Sequence, residues 1–308
     1  MEIGLQILLF SVSLIVLLIA SDRFINRAEV IGMAWGIPPF AIGLTIIAFG
    51  TSLPELATSL VSVFSGSSEI VTGNVVGSNI TNILLVIGLS ALLGNDMKLE
   101  FNIMDIDMPL LIGSSFLLFF VLRDLQLAPF EIFLFLLGLM IFLIHSLRTG
   151  KVEESKRPKV RIVDYLYFIL AGIFVYIGAR YTILAIEKIA IGAGISTHLV
   201  ALTAVALGTS LPELIVSIMA ARKGKHGLAV GNILGSNIFN TYGVMGICSI
   251  FGTLTIPPDI LAFHLPFMVV VTIMFSMICL GGNIRRWEGA MLCVLYLYFL
   301  YEVFLEGS

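Results

Sequence analysis

An internal duplication within apolar sequence is the strongest constraint on the fold of this chain. The heptapeptide GTSLPEL occurs at residues 50–56 and again at 208–214. The same offset of 158 residues aligns GNVVGSNITN at 73–82 with GNILGSNIFN at 231–240. Of the 33 aligned positions that these blocks delimit, 16 are identical without a gap. We therefore expect two halves that share one fold, with these blocks at equivalent places.

The amino-acid composition is that of an integral membrane protein. Hydrophobic residues make up 58% of the 308 residues and charged residues 12%, whereas soluble domains contain about 45–50% and about 25%. The formal net charge is only −3, so no nucleic acid is expected as a partner. Cys248, Cys279 and Cys293 lie in apolar segments without paired spacing. We interpret them as buried hydrophobic residues rather than as disulfide or metal ligands.

Apolar segments long enough to cross a bilayer recur along the whole chain. A transmembrane helix needs about 20 such residues. By this criterion the chain is an all-α integral membrane protein with ten transmembrane helices joined by short loops. The predicted spans are about 3–31, 38–64, 70–93, 105–122, 129–147, 163–187, 196–221, 228–252, 260–281 and 288–305.

Five predicted spans precede the longest loop and five follow it. Because five is odd, the second half enters the membrane from the opposite side, and the two five-helix halves form inverted repeats. We assign residues 1–148 to the first half, 149–162 to a basic cytoplasmic loop and 163–308 to the second half. Inverted repeats place substrate sites near the membrane midplane on interrupted helices, and they permit alternating access.

Lysine and arginine residues predict the orientation, because cytoplasmic loops carry an excess of both. With the N-terminus outside, the inner loops hold twelve of these residues and the outer loops hold two, Arg123 and Lys188. We therefore predict a multi-pass protein of the cell membrane with both termini extracellular. The twelve inner residues are Lys98, Arg148, Lys151, Lys156, Arg157, Lys159, Arg161, Arg222, Lys223, Lys225, Arg285 and Arg286.

Each GTSLPEL block places one glutamate in the middle of an apolar span. An ionised carboxylate at that depth costs about 2.5–3.5 kcal/mol on insertion scales. Spans two and three contain no lysine or arginine, and neither does the interior of spans seven and eight. Glu55 and Glu213 are therefore either protonated or neutralised by bound cations. Two such carboxylates at one cavity would attract a divalent ion or several monovalent ions.

Proline and glycine interrupt the helices within the same blocks. Pro54 and Pro212 lack an amide proton and clash with the preceding turn, so each helix is expected to kink or open there. Gly50 and Gly208 permit unusual backbone angles. Carbonyls freed in a bilayer must be satisfied or line a polar cavity. A simple kink repaired by serine and threonine is the alternative to cation binding. The candidate ligand carbonyls are those of Ala48, Thr51, Ala206 and Thr209.

Hydroxyl and amide oxygens share helical faces in the same region. The serine and the last asparagine of each GN..GSNI.N block are four residues apart and therefore lie on one face. A serine also precedes each glutamate by three residues. Together with two carboxylates, this set of hard oxygen ligands suits Ca²⁺, and also Na⁺, better than zinc or copper. The side chains are Ser52, Ser78 and Asn82 with their repeat equivalents Ser210, Ser236 and Asn240.

The GN..GSNI.N blocks also carry small residues at helix-packing spacing. Two G-x-x-x-G pairs, Gly73 with Gly77 and Gly231 with Gly235, predict close approach of neighbouring helices. The remaining asparagines of the blocks are expected to link helices or to support the site. They are Asn74, Asn79, Asn232 and Asn237.

The paired blocks resemble the alpha-repeats of the cation/calcium exchanger superfamily, and most closely those of prokaryotic sodium/calcium exchangers. The resemblance extends over the ten spans, the two repeats and the short central loop. It implies antiport of calcium against sodium, electrogenic at about three sodium ions per calcium, by alternating access. It also implies that the first and sixth helices slide against the other eight to switch access.

The resemblance further implies a role for each candidate residue. A central calcium site would use Glu55 and Glu213 with the carbonyls of Thr51 and Thr209. One flanking sodium site would use Ser52, Ser78 and the Ala48 carbonyl. The other would use Ser210, Ser236 and the Ala206 carbonyl, with Asn82 and Asn240 at the middle.

The coupling ion and the transport class leave alternatives open. Some archaeal members carry aspartate at the position of Asn240, so this cavity has only two carboxylates. A proton/calcium antiporter that uses the same two glutamates is the main alternative, although that branch typically shows GN..E in place of GTS.PE. The inverted repeats disfavour a channel, and the absence of a serine–histidine or aspartate pair at matching depth disfavours an enzyme. We expect no cofactor, and a chain that works in the lipid bilayer as a monomer because it contains both halves of the site.

Overall fold

The computed structural model describes residues 2–94, 96–99, 107–148, 157–192 and 208–306. Within these ranges the protein is a bundle of helices with one short pair of strands. The strands β1 (Met97–Lys98) and β2 (Asn283–Ile284) are antiparallel. The helices are α1 (Glu2–Ala34), α2 (Pro39–Phe64), α3 (Glu69–Gly94), α4 (Asp107–Val121), α5 (Pro129–Arg148), α6 (Ile162–Gly192), α7 (Leu211–Arg222), α8 (226–251), α9 (Ile260–Cys279) and α10 (Arg286–Glu306).

These helices agree with the predicted spans. All ends except the start of α7 lie within five residues of the predicted bounds. The beginning of span seven, 196–207, falls outside the described residues. In the described part of the chain, seven helices are long and apolar enough to cross a membrane, namely α1, α2, α3, α5, α6, α9 and α10. The composition and these helices make the chain an integral membrane protein.

The two ends of the bundle are chemically distinct. At one end, contacts bring together the segments after α3, α7 and α9 and the segment before α6. We call this the basic end, because lysine and arginine residues are concentrated in these segments. These contacts are the β1–β2 pair, the Lys98 amide donating to Nδ1 of His226 at 3.2 Å, and the ion pairs of Arg27 with Asp164 and of Lys225 with Glu29. At the opposite end, the rings of Phe64 and Phe251 meet edge to face, and Ser68 accepts from the Thr255 amide at 3.0 Å.

Helices α1 and α6 pack against each other as an antiparallel pair. The rings of Phe24 and Phe168 stack with centroids 4.8 Å apart. The hydroxyl of Thr182 donates to Ser13 Oγ at 3.0 Å. The two helices occupy equivalent places in the two repeats. Most of the surface of α1 and α6 is exposed, whereas most of α2 and α3 is buried. Helices α2 and α3, which carry the first copy of the duplicated blocks, therefore lie in the centre of the bundle.

Helix α8 makes its closest approach to α2 through glycine. A Cβ atom at Gly231 would lie 2.5 Å from the Phe40 carbonyl oxygen, and one at Gly235 would lie 2.0 Å from that of Leu44. The predicted packing role of this G-x-x-x-G pair is therefore confirmed. For Gly73 and Gly77 it stays a prediction, because residues 198–202, the repeat equivalents of these α2 contacts, lie outside the described ranges.

Irregular turns interrupt the central helices, but not all at the predicted places. Helix α2 does not open at Pro54, since residues 48–64 remain α-helical, and a kink there stays a prediction. In membrane helices that contain proline, serine and threonine hydroxyls can satisfy the freed carbonyls. The irregular part of α2 is a π-helical turn at Gly43–Ile47. In the second repeat a turn precedes α7, which begins at Leu211 with Pro212 in its first turn, where no amide proton is required.

Candidate ion-binding site

The two predicted glutamates meet in the centre of the bundle. Glu55 on α2 and Glu213 on α7 are both fully buried, and Glu213 accepts a hydrogen bond from Ser52, which lies one turn before Glu55 on α2. Among the described residues, neither forms an ion pair with a lysine, arginine or histidine. The charges of this pair therefore require compensation from something other than a basic side chain.

Serine hydroxyls surround Glu213 but not Glu55. Ser52 donates to Oε1 of Glu213 at 2.9 Å, and Ser236 donates to the same oxygen at 3.5 Å. By repeat symmetry Ser210 would donate to Glu55, yet its Oγ and both carboxylate oxygens of Glu55 have no partner in the described part of the chain. The two halves of the site therefore differ in their hydrogen bonds despite their identical sequence blocks.

A chain of hydrogen bonds holds each threonine of the site against a neighbouring helix. Thr51 donates to Oδ1 of Asn232 at 3.1 Å, and Nδ2 of Asn232 donates to Ser217 at 2.9 Å. In the other half, Thr209, in the turn before α7, donates to Asn74 of α3 at 3.3 Å, and Asn74 donates to Ser59 of α2 at 3.1 Å.

These chains confirm that the asparagines link helices, and they add two residues that sequence reasoning missed. Ser59 and Ser217 are fully buried and fix the amides of Asn74 and Asn232. The sequence did contain a signal for these two serines, because the repeat offset aligns Ser59 with Ser217 as an identical position.

Asparagines at π-helical turns complete the centre of the site. Asn82 begins the π-helical turn of α3 and Asn240 lies in that of α8, and such turns are frequent at functional sites. Nδ2 of Asn82 donates to Oδ1 of Asn237 at 2.9 Å, so its own Oδ1 is left without a partner. The Oδ1 and Nδ2 atoms of Asn240 are buried and also have no hydrogen-bond partner within the described ranges.

The remaining predicted ligands lie in the same region where they are described. Ser78 Oγ is 3.3 Å from Thr209 Oγ1, and the Ala48 carbonyl accepts from the Thr51 hydroxyl at 3.3 Å. Ala206 lies outside the described residues. All the described candidates are buried except Thr209, which is half-buried.

Buried oxygen atoms without partners cluster at this site. Burying a polar atom without a hydrogen bond costs about 1–3 kcal/mol, so native proteins satisfy nearly all of them. A bound cation would satisfy several at once, and carboxylate, amide and hydroxyl oxygens are ligands of Ca²⁺. Zinc sites use clusters of histidine, cysteine, aspartate or glutamate. No group of three such residues occurs in the described part of the chain. The oxygens are both of Glu55, Oε2 of Glu213, Oδ1 of Asn82, Oδ1 of Asn240 and Oγ of Ser210.

Comparison with known proteins identifies the family. The sequence profile of the sodium/calcium exchanger protein family matches residues 5–148 and 163–305. The chain belongs to this family. Its relatives include the sodium/calcium exchanger MaX1 of Methanosarcina acetivorans, 31% identical over 98% of this chain and 99% of its own. The putative antiporter CaxA of Alkalimonas amylolytica is 34% identical over 96% and 97%.

Solved structures agree with this assignment. The sodium–calcium exchanger NCX_Mj, studied with Na⁺ and Sr²⁺, superposes with a TM-score of 0.84 at 30% identity, over 96% of this chain and 97% of its own. The inner membrane protein YrbG of Escherichia coli is a further relative, 33% identical over 88% of this chain and 87% of its own. The exchanger described here is thus a membrane transporter for Na⁺ and Ca²⁺ and not an enzyme.

A partly open cavity of the exchanger borders the site on the side of α6 that lies toward the opposite end of the bundle. Its volume is about 200 Å³, and it lies between α2, α6 and α7. It reaches the candidate ligand Thr209 from that end. The lining residues are Pro54, Thr58, Tyr176, Ala179, Arg180, Ile183, Leu184, Gly208, Thr209 and Pro212.

The equivalent region toward the basic end is closed. Ser21 and Ile25 are fully buried there. A Cβ atom at Gly50 would lie 2.6 Å from the ring of Phe24, whereas at the equivalent Gly208 the nearest described atom is 3.8 Å away. An ion pair of Lys223 with Asp22 at 2.5 Å also ties α1 to the end of α7. Among the described residues, packing around the site is therefore tighter toward the basic end than toward the opposite end.

Removing the hydroxyl of Ser217 should weaken calcium binding without unfolding the exchanger. Ser217→Ala leaves the Asn232 amide without its acceptor, so the Thr51 segment is less firmly held. Loss of one hydrogen bond of about 0.5–1.5 kcal/mol corresponds to a rise of about 2- to 12-fold in the apparent Km for Ca²⁺. The measurement is radiolabelled Ca²⁺ uptake into proteoliposomes.

Ser62→Ala is the matched control for this prediction. Ser62 is also buried, but its hydroxyl donates only to the Thr58 carbonyl of its own helix, at 3.0 Å. Its Km should equal that of the unmodified exchanger. Equal Km values for the two alanine variants would contradict the supporting role of Ser217.

Proposed function

We propose that this exchanger is an electrogenic antiporter that moves about three Na⁺ against one Ca²⁺ by alternating access. The observation that carries the proposal is the cluster of buried, unpartnered oxygens around two glutamates in the middle of the bundle. Such a cluster is costly unless a cation occupies it, and its oxygens suit both ions.

The proposed ligands fall into a central calcium site and two flanking sodium sites. Glu55 and Glu213 with the carbonyls of Thr51 and Thr209 bind Ca²⁺. Hydrogen bonds of Thr51, Glu213 and Thr209 to residues of neighbouring helices support a single cluster of ligands between α2, α3, α7 and α8. The sodium ligands are Ser52, Ser78 and the Ala48 carbonyl on one side, and Ser210, Ser236 and the Ala206 carbonyl on the other, with Asn82 and Asn240 at the middle.

Two carboxylates make the two loaded states differ in charge. One Ca²⁺ neutralises the pair, whereas three Na⁺ leave one positive charge. Because Asn82 and Asn240 are neutral, they cannot remove this difference. One net charge therefore crosses the membrane in each cycle, and the transport rate depends on the membrane potential.

The predicted inverted repeats and the cavity on one side of the site support alternating access. If the two halves exchange conformations, the open cavity closes and the equivalent region at the basic end opens. The sliding elements are α1 and α6, which pack on each other and lie outside the central helices. We further propose ten spans in two inverted five-helix repeats, 1–148 and 163–308, joined by the cytoplasmic loop 149–162. The chain acts as a monomer in the cell membrane with both termini extracellular, which makes the basic end cytoplasmic in accord with its lysines and arginines.

Calcium uptake into sodium-loaded proteoliposomes tests this function. With equal pH on both sides, uptake should require the outward Na⁺ gradient. When three Na⁺ leave as one Ca²⁺ enters, one net positive charge leaves the vesicle. An interior-positive K⁺ diffusion potential set with valinomycin should therefore accelerate uptake, and an interior-negative one should slow it.

Two outcomes would contradict this proposal. A rate of uptake that is independent of the potential would contradict electrogenic exchange. Uptake driven by a pH gradient and not by Na⁺ would instead select the proton-coupled alternative.

A further inference from the structure

A positively charged side chain lines the open cavity. Arg180 on α6 is exposed and is one of the residues that form the cavity wall, close to Thr209. Among the described residues, no acidic side chain lines this cavity and no carboxylate forms an ion pair with Arg180. Cations that approach the glutamates from this end therefore pass an uncompensated positive charge.

The equivalent residue in the other repeat has the opposite charge. The offset of 158 residues aligns Arg180 with Asp22 on α1. Asp22 lies on the closed side and forms its ion pair with Lys223. In the opposite conformation of an inverted repeat, Asp22 would take the place in the wall that Arg180 now has. The two entrances of one site thus carry side chains of opposite sign.

We propose that Arg180 is a specificity-determining residue that lowers the apparent affinity for Ca²⁺ at the opposite end, and that Asp22 raises it at the basic end. This inference rests on the proposed function. Ca²⁺ then binds preferentially from the side that carries Asp22 and dissociates readily past Arg180. In the proposed orientation that direction is export from the cytoplasm.

The valence of the ion determines the size of the effect. A unit charge about 10 Å away in water changes the local concentration of a divalent ion by about 4-fold and that of a monovalent ion by about 2-fold. Screening at physiological ionic strength reduces both factors. The factor for Ca²⁺ is the square of the factor for Na⁺, because the ion charge enters the exponent. A change in the shape of the site would not produce this relation.

The test compares charge variants in proteoliposomes of uniform orientation, with Ca²⁺ and Na⁺ supplied at the opposite end. Arg180→Gln should lower the apparent Km for Ca²⁺ by about 2- to 4-fold and that for Na⁺ by about the square root of this factor. Both changes should vanish at about 1 M choline chloride, where the Debye length is about 3 Å. Arg180→Lys should retain the original values, since it keeps the charge.

Arg123→Gln is the matched control, because it removes one exposed charge on the same predicted side of the membrane but away from the cavity. An unchanged Km for Ca²⁺ in Arg180→Gln would overturn the proposal. So would an equal change in Arg123→Gln, or equal factors for Ca²⁺ and Na⁺.

Equilibrium binding of Ca²⁺ to the purified protein in detergent separates this inference from the proposed function. The Kd should fall in Arg180→Gln by the same factor as the Km. If neither the unmodified protein nor any variant exchanges Ca²⁺ for Na⁺, while the Kd still falls in Arg180→Gln, the proposed function is overturned and the role of Arg180 stands. Exchange with an unchanged Kd overturns the role of Arg180 alone.

Discussion

Glu213→Gln is expected to abolish sodium-dependent calcium uptake while leaving the fold intact. Glutamine has nearly the shape of glutamate, and its amide oxygen can still accept from Ser52 and Ser236. The negative charge that neutralises the cation is lost, however. Breaking a buried charge pair costs about 3–5 kcal/mol, which corresponds to a loss of at least about 100-fold in Ca²⁺ affinity.

Glu55→Gln should have an effect of similar size for a different reason. Neither carboxylate oxygen of Glu55 has a hydrogen-bond partner in the described part of the chain. Both oxygens are therefore available to bind a cation. The variant should fold at least as well as the unmodified protein, because it removes a buried carboxylate that is costly without a partner. Loss of exchange together with unchanged or increased thermal stability is therefore the expected signature.

Uptake of radiolabelled Ca²⁺ and thermal unfolding in detergent measure the two effects separately. Glu69→Gln is the control, because Glu69 is exposed in the first turn of α3 and its substitution removes the same charge away from the site. Uptake by this variant should be unchanged. Full sodium-dependent uptake in Glu213→Gln would show that this carboxylate is not a ligand of the transported calcium.

The duplicated blocks explain why so much of the site could be predicted from the sequence. Glutamate in a membrane span is costly, so its presence at the same place in both repeats indicated a role in function. Hydrophobic length located the helices for a similar reason, since a bilayer allows few alternatives to helices in spanning segments. Ser59 and Ser217 were missed because a serine in a membrane helix ordinarily bonds to its own helix, as Ser62 does.

Features that depend on small energy differences could not be predicted in this way. The sequence blocks of the two repeats are identical around Glu55 and Glu213, yet only Glu213 receives serine hydrogen bonds. Which end is open likewise depends on the balance between two conformations of one chain, and repeat symmetry alone gives no preference. Pro54 shows the same limit, because residues 48–64 remain α-helical across it while the irregular turn lies at Gly43–Ile47, where no proline occurs.

Gly235→Ala is expected to cause the largest loss of stability among single methyl additions in the central helices. The added Cβ would lie 2.0 Å from the carbonyl oxygen of Leu44. Backbone atoms cannot rotate away as a side chain can, so α8 and α2 must separate. Overpacking of this kind costs about 1–3 kcal/mol or more, which corresponds to a fall of about 2–12 °C in Tm.

The same separation should also impair transport, because Leu44 lies one turn before the candidate ligand Ala48. The matched control is Gly113→Ala on α4, where an added Cβ meets no described atom within 4 Å. Alanine is favoured over glycine in a helix, so the Tm of this variant should be unchanged or slightly higher. Thermal unfolding of both variants in one detergent measures the contrast. Equal Tm values would mean that α8 and α2 can separate at no cost, and would contradict close glycine packing as the reason for this block.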